Sequence, residues 1–268
     1  MSENPQHPGS AQRSLHDDET DLLVREEPLL IQVGEQQLLT MRTPGQDLAL
    51  AVGFLLSEGI VDEPAAILGH QHDPGDPAEL RADTIRIRVR QSADAQAAGR
   101  LTRTHEVRPS CGICGLTDPE ELLEDTRPLL PGTPKIGRDA IEAMRTEFES
   151  RQQLFTLTGA CHGAALFSAE GSLLGFGEDV GRHNALDKAI GEASLAGHQF
   201  DRAIAILSGR AGYDLTMKCL RLGVPIILSV SAASALSHDL VSSAGGTLVG
   251  FLRGGPAKIY CDDRRLTE

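Results

Sequence analysis

The sequence predicts an α/β protein, with a layered α/β sheet in its C-terminal half and a smaller, sheet-containing N-terminal part. Three observations carry this. Between residues 203 and 252, apolar runs at 203–207, 224–230 and 247–252 alternate with helical patterns around 215–222 and 233–241. That is the rhythm of strands joined by helical crossovers. Ile85, Ile87 and Val89 alternate with Arg86, Arg88 and Arg90, the period-two pattern of a half-buried strand. Finally, 268 residues with 40% hydrophobic and 24% charged content suffice for a sizeable core, as one large domain or two smaller ones.

In chain order, residues 1–20 are polar and read as a disordered tail. An N-terminal α+β domain is expected over 21–115. It opens with a hairpin in which Leu29-Leu30-Ile31 and Leu38-Leu39-Thr40-Met41 flank Val33-Gly34-Glu35-Gln36. Thr43-Pro44-Gly45 reads as a helix start, with Thr43 as cap, and Gly59 as its end. Leu48, Val52, Leu55 and Leu56 share one face of that helix. The arginine row of the 85–90 strand reads as a solvated face opposite acidic neighbours rather than an anion site. Residues 116–135, with acids and prolines, read as a linker.

The C-terminal α/β domain spans 136–268. Ile141, Met144 and Phe148 form a helix stripe, and 164–167 and 173–176 form a hairpin around Glu170-Gly171. Helix signals over 183–196 place Leu186, Ala189, Ile190 and Ala193 on one face.

Composition excludes several functions. A net charge of −13, no Trp and two Tyr argue against a nucleic-acid binder, which needs clustered cations and stacking platforms. The longest apolar stretch, Leu48-Ala49-Leu50-Ala51-Val52-Gly53-Phe54-Leu55-Leu56, is well short of the ~18 residues of a membrane span. Residues 1–21 have neither an apolar core nor paired arginines, so no export signal is read there. Five cysteines are too few for a disulfide scaffold, and a cytoplasmic location with thiols at rest is expected.

Cys111-Gly112-Ile113-Cys114-Gly115, preceded by Arg108-Pro109-Ser110, is the most informative segment. Two thiols three residues apart can hold a metal, cycle through a disulfide or pass a sulfur atom. A structural zinc site needs four ligands, and the remaining Cys161, Cys219 and Cys261 are scattered singly. A thioredoxin-type motif opens a helix, which Gly112, Gly115 and Pro119 disfavour. A zinc deaminase carries His-x-Glu ahead of its cysteine pair, and no histidine here has Glu two residues on. A sulfur carrier remains, with the thiolate favoured by Arg108.

Ligands of layered α/β domains gather beyond the carboxyl ends of strands. Three glycine- and serine-rich loops fall there: Ser208-Gly209-Arg210-Ala211-Gly212, with Lys218 further into the next helix, Ser231-Ala232-Ala233-Ser234, and Arg253-Gly254-Gly255. None matches a Walker or Rossmann fingerprint, and each alone reads equally as an ordinary turn. Gly177-Glu178-Asp179-Val180-Gly181-Arg182-His183-Asn184 packs acids, a base, an imidazole and an amide into one run. It reads as an active or binding loop, or as a capping loop with internal salt bridges. Cys161-His162 reads as a packed pair.

These residues resemble the formate dehydrogenase accessory sulfurtransferases, the FdhD/NarQ family. The resemblance runs from about Val24 onward. It rests on Thr43-Pro44-Gly45, Gly53-Phe54-Leu55 with Glu58-Gly59, Ser110-Cys111-Gly112-Ile113-Cys114-Gly115, Thr158-Gly159-Ala160-Cys161-His162, Glu178-Asp179-Val180-Gly181-Arg182-His183-Asn184-Ala185-Leu186-Asp187-Lys188 and Ser208-Gly209-Arg210. It implies a homodimer whose C-terminal half is a three-layer α/β/α, cytidine-deaminase-like domain without an intrinsic metal. It implies a sulfurtransferase that takes sulfur from a cysteine desulfurase as a Cys111 persulfide, with Cys114 as the second loop thiol. The acceptor is the Mo-bis(molybdopterin guanine dinucleotide) cofactor destined for formate dehydrogenase. The family's cofactor-binding stretch maps to Phe251, Leu252, Arg253, Gly254, Gly255 and Pro256, where Pro256 replaces the basic or polar residue often present. The alternative is a non-catalytic chaperone of the same cofactor.

Overall fold

The computed structural model describes residues 7–17, 19–76, 79, 81–90, 126–253 and 256–267. The chain begins with a two-stranded antiparallel hairpin, β1 (Ser10–Ser14) and β2 (Thr20–Val24). This corrects the expectation of a disordered tail to residue 20. The polar β1 has no strand signal of its own. Its order comes from pairing with β2 and from its base, where Gly9 lies against Thr43 and Leu154, and its carbonyl accepts the Arg25 amide at 2.7 Å.

β3 (Glu27–Val33) and β4 (Gln36–Arg42) form the expected hairpin, and α1 (Asp47–Ser57) follows. β5 (Ile67–Asp73) and β6 (Asp83–Val89) complete a four-stranded sheet of order β4-β3-β6-β5, with β3 and β6 parallel. Leu29, Ile31, Val33, Ile85, Ile87 and Val89 are buried. The arginine row faces out, with Arg86 paired to Asp73 and Arg90 to Glu63, the solvated face expected. Gly59 ends the helix region at φ 64°. Thr43 does not cap the helix: α1 starts after Gln46, which takes a left-handed φ of 58°. Thr43 is needed elsewhere, as described below.

The C-terminal half contains β7 (Ile136–Gly137), α2 (Arg138–Arg151), α3 (Gln153–Thr158), β8 (His162–Phe167), β9 (Leu173–Asp179), α4 (Arg182–Leu195), β10 (Ile204–Leu207), α5 (Tyr213–Arg221), β11 (Ile226–Ser229), α6 (Ala235–Ser243), β12 (Thr247–Gly250), β13 (Lys258–Cys261) and β14 (Leu266–Thr267). Six of these strands make one sheet of order β13-β12-β11-β10-β8-β9. β10, β11 and β12 are parallel, and β8, β9 and β13 run against their neighbours.

Side chains alternate across this sheet. Ala164, Leu166, Ala205, Leu207, Ile227 and Leu248 join one core with α1, α4, α5, α6 and the N-terminal sheet. Ala165, Phe167, Ile204, Ile206, Ile226, Leu228 and Val249 join a second core with Met144 and Phe148 of α2. Helices thus cover both faces, and the first core runs without interruption from the N-terminal sheet into the C-terminal layer.

α4 is the structural pivot, because glycines let it approach backbone on two sides. A Cβ on Gly53 of α1 would lie 1.8 Å from the Asp187 carbonyl oxygen, and one on Gly191 of α4 would lie 1.8 Å from that of Ala49. Across the helix, a Cβ on Gly175 or Gly177 of β9 would lie 2.2 or 2.4 Å from the carbonyls of Ala189 and Ala185.

Candidate functional site

Because β10, β11 and β12 are parallel, the three loops that follow them meet at one sheet edge, as the sequence predicts. They are joined there: Ser229 Oγ donates to the Gly209 carbonyl at 2.7 Å, Ala211 bridges Ala233, and the Phe251 amide donates to the Ser231 carbonyl at 2.9 Å. The antiparallel β8 and β9 bring His162 and Glu178-Asp179 to the same edge, since His162 pairs with Asp179 and Leu207 with Ala164.

Of the expected cofactor-binding residues, Phe251, Leu252, Arg253 and Pro256 are described, and Gly254 and Gly255 lie outside the described residues. Phe251 takes φ 57°, a conformation costing a branched or bulky residue about 1–2 kcal/mol. Lys258 Nζ sits 4.9 Å above its ring. Leu252 is buried, and Arg253 and Pro256 are exposed. Cys111 and Cys114 lie outside the described residues.

The carboxylates of the run 177–184 bear out its reading as a loop with internal salt bridges. Its carboxylates are internal. Glu178 accepts the Leu154 and Phe155 amides, each at 2.9 Å, and the Cys161 thiol at 3.4 Å. Asp179 accepts the amides of Thr43 and Gly181 at 2.9 Å and the Asn184 amide nitrogen at 3.1 Å, and it pairs with Lys188 at 2.8 Å. Thr43 closes the clasp: its hydroxyl accepts the Val180 amide at 3.1 Å and its carbonyl accepts Lys188 at 2.8 Å. Thr43-Pro44-Gly45 is therefore a strap between the N-terminal hairpin and the sheet edge.

Arg182 and His183 turn instead toward the segment after β10. His183 Nε2 lies 3.2 Å from Asp214 Oδ2, and Arg182 reaches the same carboxylate at 3.7 Å. Ser208 Oγ accepts the Gly163 amide at 2.9 Å and lies 3.4 Å from His162 Nδ1. Burial, then the charges of Arg182 and His183, push the His162 imidazole below its ordinary value. Sequence periodicity does not reveal these pairings, which join residues 31 and 46 positions apart.

Lys218, expected near the 208–212 loop as a ligand group, is instead buried one turn along the α4–α5 interface. Its ammonium donates to both Asp187 oxygens at 2.9 Å and to Ser57 Oγ at 2.8 Å, and it pairs with Glu58 at 2.6 Å. Burial opposes its charge, but Asp187 and Glu58 outweigh this and hold the Lys218 pKa above its ordinary value. Both pairs span 31 residues, so His183–Asp214 and Asp187–Lys218 are successive rungs between the same two helices.

Among the described residues, Asp47, His72 and Asp83 bring potential metal-ligating atoms within 4.8 Å of one another. The cation already there is the buried guanidinium of Arg42, which donates to both Asp47 oxygens at 2.9 Å and to Asp83.

The three described cysteines are poor nucleophiles. Burial and the Glu178 charge push the Cys161 thiol up, burial pushes Cys219 up to about 12, and burial raises Cys261. In the native protein at neutral pH, iodoacetamide is expected to leave Cys161 and Cys219 unlabelled while labelling them after unfolding, as read by peptide mass mapping. Equal labelling in both states contradicts this assignment.

The FdhD/NarQ family profile matches residues 24–267, nearly the whole chain. The chain belongs to the FdhD/NarQ family. Among relatives, the sulfur carrier protein FdhD of Anaeromyxobacter dehalogenans is 39% identical over 256 residues, covering 92% of this chain and 88% of its own. That of Streptomyces avermitilis is 36% identical over 252 residues, covering 92% and 89%. That of Mycobacterium tuberculosis is 35% identical over 259 residues, covering 92% of both. A crystal structure of a formate dehydrogenase accessory protein from Desulfotalea psychrophila superposes with a TM-score of 0.72 at 22% identity, covering 96% of this chain and 97% of that one. The fold is thus shared with that protein. Among the described residues, no helix is long and apolar enough to cross a membrane.

Proposed function

We propose that this family member is a sulfur carrier acting as a sulfurtransferase through a Cys111 persulfide. It takes sulfane sulfur from a cysteine desulfurase and passes it to the Mo-bis(molybdopterin guanine dinucleotide) cofactor, as substrate, before that cofactor enters formate dehydrogenase. The observation that carries this reading is the family match over 24–267, which includes the Cys111–Cys114 pair. The chemistry of the other thiols supports it, since Cys161, Cys219 and Cys261 are all held protonated.

The steps balance. A desulfurase persulfide and the Cys111 thiol give the desulfurase thiol and a Cys111 persulfide. Attack of the Cys114 thiolate on the Cys111 sulfur then closes a disulfide and releases the outer sulfur as hydrosulfide. An external reductant such as a small thiol reopens the disulfide. At the sheet edge, the loop amides and Arg253 supply donors for the cofactor's phosphates, and the cation-capped ring of Phe251 offers an apolar face to a base. The reading includes a cytoplasmic homodimer, no intrinsic metal, and a cytidine-deaminase-like arrangement of the C-terminal sheet and its helices.

Complementation tests it. In cells lacking their own carrier, Cys111→Ala is expected to abolish formate dehydrogenase activity at normal protein levels. A chaperone working without sulfur transfer predicts that Cys111→Ala supports activity while Arg253→Ala does not.

A further inference from the structure

The sheet edge holds two imidazoles whose partners differ in kind. His162 meets a hydroxyl, Ser208 Oγ, while His183 meets a carboxylate, Asp214. Both rings are half-buried, and both meet the segment after β10, His162 at Ser208 and His183 at Asp214. Gly209 lies against the His162 ring: a Cβ there would be 3.5 Å from Nδ1. These groups are left over once the carboxylates of 177–184 are assigned to the strap.

We propose that His162 and His183, with Asp214 as the positioning residue for His183, form a proton-transfer centre for exchanging a metal–oxo group for a metal–sulfido group at this edge. The proposal rests on the sulfur-carrier reading. The exchange converts a metal–oxo group and H₂S into a metal–sulfido group and water, with no change in oxidation state. One proton of H₂S passes to Nε2 of His162, in the tautomer whose Nδ1–H donates to Ser208. The His183 imidazolium, held through Nε2 by Asp214, gives a proton from Nδ1 to the oxo group. The resulting hydrosulfide bonds to the metal, its remaining proton passes to the metal-bound hydroxide, and water leaves. His162 ends protonated and His183 neutral, and solvent returns the proton from one to the other.

The surroundings suit these roles. The charged groups acting on His162 are Arg182 and His183 from α4 and Asp179 from β9. With burial first and the two cations next, they keep its imidazole below its ordinary value and ready to accept a proton. Asp214 also faces Arg182 at 3.7 Å, a second cationic group beside the same carboxylate.

Sodium sulfide tests the centre directly, because it bypasses Cys111. Full-length protein loaded with the bis(guanine dinucleotide) molybdenum cofactor is treated with sulfide, passed to cofactor-free formate dehydrogenase, and formate oxidation is followed against pH. His162→Gln and His183→Gln are each expected to slow sulfide-driven activation about 100-fold. Asp214→Asn is expected to lower the activation rate while leaving cofactor retention unchanged, and thermal melts of all variants verify folding. Arg182→Gln removes a cation beside His162, so its pKa rises and the acid limb of activation moves to higher pH. Wild-type rates in both histidine variants, or an unmoved limb in Arg182→Gln, overturn the proposal. Failure of the sulfur-carrier reading shows separately, as a Cys111 peptide that gains no sulfur from desulfurase and cysteine.

Discussion

Lys218→Met is expected to destabilise the protein by about 3–5 kcal/mol, the cost of stranding buried charges. The ammonium serves Asp187, Ser57 and Glu58 at once, from α4 and the end of α1. Methionine fills similar space but leaves the buried Asp187 carboxylate without its cation and Glu58 with Arg221 alone. At roughly 2–4 °C per kcal/mol for chains near this size, the midpoint of thermal unfolding falls by about 10 °C. Function suffers as well, because Asp187–Lys218 is the rung that sets α4 against α5 one turn from His183–Asp214. A melting point within a degree or two of wild type contradicts this account.

Gly191→Ala is expected to be nearly as damaging, at about 3 kcal/mol. The new methyl would meet the Ala49 carbonyl at 1.8 Å, and the obstacle is helix backbone rather than a side chain able to swing aside. α1 and α4 must separate, and α4 cannot retreat because Gly175 and Gly177 already press it against β9. Gly53→Ala meets the reciprocal obstacle at Asp187. Gly212→Ala is the stability control, since that position has φ −89° and no neighbouring atom within 4 Å of a built Cβ. Chemical denaturation of the three variants checks the order. Equal stabilities contradict backbone-to-backbone packing as the reason for these glycines.

Much of the architecture is legible in the sequence because it follows from local periodicity. The 203–252 stretch alternates strand and helix with short connections, so its strands, their parallel order and the common edge of their loops follow together. The Arg86-Arg88-Arg90 face is equally legible, since a period of two assigns it to solvent. Tertiary pairing decided the rest. β1 is polar and ordered by β2, and β13 is a short antiparallel edge strand with exposed Lys258 and Ile259, so neither carries a strong signal. Thr43 sits in a sequence that suits a helix cap, yet its hydroxyl and amide are used by a segment more than 130 residues away. Lys218 has the spacing of a loop-lining cation but is consumed by Asp187 and Glu58. The 177–184 run shows the limit most clearly: composition marks it as important, but only geometry separates its structural carboxylates from His183.

Cys111 is the proposed bearer of the sulfur. Purified full-length protein incubated with a cysteine desulfurase and cysteine, then digested and weighed, reads this most directly. The peptide containing Cys111 is expected to gain one or more sulfur atoms and to lose them on mild reduction, while the same peptide from Cys111→Ala stays unmodified. Labelling of Cys111→Ala at the wild-type level contradicts the account.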